Sequence, residues 1–204
     1  MVHGYHIILG TYGHWLPNDP RGSWSEFVAA WELFQFGKPQ RREVHPSFLD
    51  HPELAAVHRQ AQQKLKHPPV VLTGLQAKSV GAGFSEAIRK SRLTVWACSI
   101  LPQHVHLVVA RGRLSSERMA NFFKGEATKQ LKRDHLHPMS RSDSAETDLP
   151  SPWERNQWKV FLNTEEDIEN VIAYVEQNPV KEGKPLQRWT FVTSFAGLDP
   201  GSFV

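Results

Sequence analysis

Two apolar, β-branched runs, RLTVWACSI (92–100) and HVHLVVAR (104–111), are separated by only LPQ. A parallel crossover needs a dozen or more residues, so this short connection can only turn the chain back on itself, making the runs antiparallel neighbours. The rest of the chain is read around that pair. YHIILGTY (5–12) has the length and composition of a buried strand and runs into GHWLPNDPRGS, whose Pro, Asn, Asp and Gly enforce a loop. WKVFL (158–162) is a short strand candidate. LQAKSVGAGFSEAIRKS, after Thr73, reads as a helix that Gly81 and Gly83 weaken locally. A second helix runs from a Ser115 or Ser116 cap through about Arg133, with Met119, Phe122, Phe123, Ala127 and Leu131 at helical spacing. Thr164 and Asp167 form a capping box that opens a third, which Pro179 is expected to end near Asn178. The order strand, helix, strand pair, helix, strand, helix predicts an α+β fold. Its sheet is a ferredoxin-like split β-α-β antiparallel sheet with helices on one face, plus an extra C-terminal helix.

The chain reads as a single domain over residues 1–204, without internal repeats or a clean linker. Residues 26–70 carry the helical pieces SEFVAAWELFQF and PELAAVHRQAQQKLK and are expected to be an insertion. Residues from about 138 to 152 are polar, proline-bounded and aperiodic, as in a flexible surface loop. Cys98 is the sole cysteine, which excludes an internal disulfide and a four-thiolate zinc site and suits a reducing cytoplasm. No stretch approaches the roughly 20 apolar residues needed to cross a bilayer, and the N-terminus lacks a secretory signal, so a soluble protein is expected. A net charge of +3 permits a polyanionic partner without demanding one. Positive charges gather in KPQRR (38–42), at Arg89, Lys90 and Arg92, at Arg111 and Arg113, and at Lys124, Lys129, Lys132 and Arg133. Any one such run is more commonly a solvated face than a binding site.

His104 and His106 alternate with Val105 and Leu107, so on a strand both imidazoles leave the same face, about 6.5 to 7 Å apart along the backbone. Two such rings can converge on one cation, or they can be satisfied histidines of a half-buried strand. Spacing alone does not decide, because 11 histidines in 204 residues produce an H-x-H triplet by chance about once. A second triplet, His135 and His137, does occur, in a polar stretch before Pro138 that reads as a helix end or loop. Among three tyrosines, Tyr174 stands apart: at 100° per residue it and Asn178 share one flank of the stripe Ile168, Val171, Ile172 and Val175. A core-edge tyrosine and an Asn ending a helix before proline would look the same.

The combination LPQHVHLVV (101–109) with YVEQNPVKEG (174–183) resembles the single-tyrosine HUH transposases, and more closely the REP-associated tyrosine transposases. In that family a His, an apolar residue and a second His on a strand lie under a helix bearing Tyr-x-x-x-Asn-Pro-Val. The resemblance extends to TYGHWLPNDPRGS (11–23) and to FFKGEATKQL (122–131), in the family's order. Gln103 departs from it, since an Asn usually precedes the first His. The insertion at 26–70 and the residues after Gly183 lie outside the motifs.

The resemblance implies an HUH-endonuclease fold, His104, His106 and Asn178 as metal ligands, and Tyr174 as nucleophile. It implies Mg²⁺ or Mn²⁺ as the ion, a 5′-phosphotyrosine intermediate, and single-stranded or hairpin DNA as substrate. A monomer is favoured and a homodimer possible; whether Tyr174 serves its own site or a partner's is open. A phenol with an ordinary pKa of about 10 needs help to attack at neutral pH, which a cation on the phosphate can supply. Candidate DNA contacts are Arg21, Lys124, Lys129 and Arg133, with Trp15 and Trp24 as stacking platforms. The rival readings are a DNA-binding protein of the same fold without catalysis, and a metal-dependent hydrolase without a covalent step.

Overall fold

The computed structural model describes residues 1–14, 52–140 and 149–198. Trp15, Arg21, Trp24, the KPQRR run and the first helical piece of the expected insertion lie outside the described residues, as do positions 141–148 of the expected loop.

Four strands form one sheet: β1 (Gly4–Gly10), β2 (Val95–Ile100), β3 (His104–Ala110) and β4 (Trp158–Leu162), in the order β2-β3-β1-β4. Every neighbouring pair is antiparallel. β2 and β1 therefore run the same way with β3 inserted between them, which is the split β-α-β arrangement. The two-residue period of a strand sorts the side chains. Tyr5, Ile7 and Leu9 pair with Val109, Leu107 and Val105, while His6, Ile8 and Gly10 pair with Val108, His106 and His104. Across β1 and β3 one face is thus apolar apart from the Tyr5 hydroxyl, and the other carries three histidines.

The apolar face is covered by α2 (Gly74–Ser91) and α3 (Ser116–Arg133); α1 (Pro52–Gln63) precedes them in the chain. Phe84, Val80 and Ala87 from α2 and Met119, Phe123, Ala127 and Leu131 from α3 join Ile7, Leu9, Val105 and Leu107 in one core. Ser115 caps α3 through a hydrogen bond from the Arg118 amide, and a Thr73–Gln76 capping box opens α2. The α2 glycines have a packing use. A Cβ on Gly83 would stand 2.5 Å from the Ala127 Cα, so only glycine lets α2 and α3 touch backbone to backbone. A Cβ on Gly81 would strike the Trp189 ring. The helical propensity lost at these positions, about 1 kcal/mol each, is exchanged for this closer contact.

The histidine face is covered by α4 (Glu165–Lys181), opened by the Thr164–Asp167 capping box. Ile168 and Val175 bury against Ala97, Val108 and Leu162, so the C-terminal helix packs on the side of the sheet opposite α2 and α3. Pro179 does not end this helix. It sits within the last turn, where the amide it lacks costs a single hydrogen bond, and α4 runs on to Lys181. The stop is Gly183, left-handed at φ +68°, with its N–H bonded to the Val180 carbonyl and the Lys184 N–H to the Pro179 carbonyl. That is a Schellman termination. No described helix is long and apolar enough to cross a membrane.

Candidate active site

Tyr174, His104 and His106 meet in one chain. The Tyr174 ring stands edge-on over the His106 imidazole, 5.6 Å between centroids at 84°. His104 and His106 are themselves edge-to-face at 4.8 Å. Strand period and helix period jointly account for this: the two histidines leave β3 on the face that α4 covers, and Tyr174 sits on the flank of the apolar stripe that seats α4. Tyr174 remains 40% exposed, so its phenol is open to a polymer strand. Asn178, one turn further on, is buried, and no described residue hydrogen-bonds its amide nitrogen.

Three further side chains belong to the same place. His6, from β1, is buried with its Nε2 2.9 Å from the His106 Nδ1, the rings edge to edge with 5.1 Å between centroids and 25° between their planes. Its ring is also 6.1 Å from that of Tyr174. Lys181 places its ammonium 5.0 Å from the Tyr174 ring centre, and a Glu182 carboxylate oxygen lies 3.8 Å from the His104 Nε2. The reading from sequence missed all three. His6 has the opposite parity to Ile7 and Leu9, which puts it on the histidine face once β1 pairs with β3. Lys181 and Glu182 follow Tyr174 and Asn178 by further helical steps, but taking Pro179 as a stop removed them from the helix.

The electrostatics favour neutral His106 and His6 rings and a protonated phenol. Burial holds His106 well below the ordinary imidazole range, with His104 and His6 adding to the effect, and burial brings His6 down to about 4. Neutral imidazoles are ready to bind a cation without first losing a proton. Burial and then the Glu182 charge push the Tyr174 phenol up. Among the described residues no three His, Cys, Asp or Glu side chains are grouped to hold a metal ion. A divalent ion here would rest on two imidazoles and the Asn178 amide oxygen, the remaining positions falling to phosphate oxygens or water. His106, held neutral by burial, with His104 4.8 Å from it and the buried Asn178 on the helix above, fits that donor set.

The basic candidates are not gathered here. Lys124, Lys129 and Arg133 are on α3, across the sheet from Tyr174. Lys124 is buried, and its ammonium donates to the carbonyls of Glu154 and Asn156, each at 2.8 Å; burial brings it down to about 8. It ties the segment before β4 to α3 instead of facing solvent. Lys129 pairs with Glu126, and Arg133 donates to Gln130 on the surface. His135 and His137 lie just beyond α3, His135 left-handed at φ +56°, as a helix end requires.

No family model matches this chain, and no curated protein does. Among solved structures, one described as a REP-associated tyrosine transposase bound to a REP hairpin is similar at a TM-score of 0.47 and 12% identity, covering 98% of this chain and 93% of that one.

Proposed function

We propose that this chain is a transposase-type enzyme that cuts and rejoins single-stranded or hairpin DNA through Tyr174, with Mg²⁺ or Mn²⁺ held by His104, His106 and Asn178. The observation that carries the reading is the half-exposed Tyr174 ring over the His106 imidazole of its own chain. A tyrosine there has no packing reason to be a tyrosine: no described residue bonds its hydroxyl, and a phenylalanine would fill the same space.

In the reaction the Tyr174 oxygen attacks phosphorus, its proton is released, and the bond from phosphorus to the 3′ oxygen breaks. That oxygen leaves as a 3′-hydroxyl, while the 5′ side stays bonded to Tyr174 as a phosphodiester. The bond energy is kept, so a second 3′-hydroxyl can reverse the step without ATP. When bound, the divalent ion supplies positive charge that offsets charge developing on the phosphate oxygens. The chain supplies alignment: α4 fixes the phenol above the histidine face, and Lys181 adds a cation beside its ring.

The test is a denaturing gel of the protein with an end-labelled hairpin oligonucleotide and Mn²⁺. The expected result is a covalent adduct that disappears in Tyr174→Phe. Cleavage persisting in that variant would assign the nucleophile to water and overturn the reading.

A further inference from the structure

One buried contact of the histidine face has no part in the chemistry above. His6 and His106 sit on paired strands as diagonal neighbours, His6 opposite Val108 and His106 opposite Ile8. Both rings are nearly out of water, at 7% and 4% exposure, and the His6 Nε2 meets the His106 Nδ1 at 2.9 Å. Two neutral imidazoles at that distance share one proton, so one nitrogen donates and the other accepts. The direction matters. If the His106 Nδ1–H donates, the His106 Nε2 carries a lone pair; if His6 donates, the His106 Nε2 carries a hydrogen and cannot ligate.

We infer that His6 is a positioning residue: it accepts the Nδ1–H of His106, fixes that ring against β1, and so presents the His106 Nε2 lone pair to a divalent cation. The inference rests on His106 being a metal ligand. His6 does not itself ligate through Nε2, because that nitrogen is taken by the contact. Outer hydrogen bonds of this kind hold a ligating imidazole in one tautomer and one orientation. Here the acceptor is a second imidazole, seated by the neighbouring strand. The hydrogen bond joins the two rings edge to edge, within 25° of coplanar, and so ties the His106 ring to β1.

The experiment measures Mn²⁺ affinity without DNA, by the electron paramagnetic resonance of free Mn²⁺, in the parent, His6→Phe, His6→Gln and His106→Ala. His6→Phe keeps an aromatic ring at the position and removes the acceptor; affinity should fall about 10- to 100-fold. His6→Gln puts an amide oxygen near the place of Nε2 and should stay close to the parent. His106→Ala should lose binding altogether. Parental affinity in His6→Phe, with loss in His106→Ala, would sink the positioning role and leave the metal reading standing. Equal losses in the Phe and Gln variants would assign His6 to packing and also overturn it. A parent that binds no Mn²⁺ would overturn both. Nitrogen-15 spectra of the metal-free parent provide a check without substitution: the proton belongs on the His106 Nδ1, and finding it on Nε2 would refute the inference.

Discussion

The Tyr174 ring and the His106 imidazole, 5.6 Å apart between centroids, belong to the same chain. No exchange of helices between subunits is needed to bring them together. Mixing Tyr174→Phe with His106→Ala protein should therefore form no more adduct on labelled hairpin DNA than either alone. Recovery of adduct in the mixture would mean that α4 crosses between subunits during the reaction.

Tyr174→Phe itself should be almost silent in folding. The residue is 40% exposed and its hydroxyl has no described partner, so the unfolding free energy should stay within about 0.5 kcal/mol of the parent. Hairpin affinity should be retained while covalent capture is lost. A large drop in thermal midpoint would show that the phenol is structural.

Two periods made the pairs of this site legible in the sequence, and the family resemblance is what joined the pairs into one site. Residues two apart on β3 share a face, and residues four apart on α4 share a flank, so His104 with His106 and Tyr174 with Asn178 could be placed before any coordinates. His6 was not placed, because one histidine in an apolar strand has meaning only once β1 is known to pair with β3 on the same face. Lys181 and Glu182 were hidden by a rule applied one turn too early, with the Gly183 signal for the true stop standing just beyond. Gly83 looked like a cost because its benefit lies on another helix, at Ala127. Lys124 directly follows Phe123 and is one turn from Ala120 and Ala127; that edge of the stripe could have warned that it is buried.

The metal-free protein should lose stability in mild acid. Burial brings His6 from an ordinary 6.5 to about 4, so between those values the unfolded chain binds a proton that the folded chain refuses. The unfolded state then holds more protons, and stability falls as pH drops from 6.5 towards 4, by up to about 3 kcal/mol from this group. His106 is shifted in the same direction. Denaturant unfolding at a series of pH values should give a steep decline for the parent and a shallower one for His6→Phe. Parallel curves would contradict the assignment.

Glu182→Gln should move the pH dependence of adduct formation. The Glu182 carboxylate adds to burial in raising the Tyr174 phenol, so removing its charge lowers the phenol's pKa. If the attacking form is the phenolate, the acidic limb of the rate profile shifts to lower pH. A shift to higher pH would instead give Glu182 the role of accepting the proton.

Lys124 separates a structural from a DNA-contacting lysine. Its ammonium donates to the carbonyls of Glu154 and Asn156, and next to them Trp153 donates its indole N–H to Thr128 on the same helix, at 3.1 Å. Lys124→Met keeps the aliphatic stem but removes the donor to both carbonyls, an expected cost of about 2 to 3 kcal/mol in denaturant unfolding. Lys129→Ala removes only an exposed arm of the Glu126 pair, which Lys90 still holds, and should cost within about 0.5 kcal/mol. If Lys124→Met instead left stability unchanged and flattened the salt dependence of hairpin binding, the ammonium would be reaching phosphate, and the anchoring of the segment before β4 would have to come from Trp153 alone.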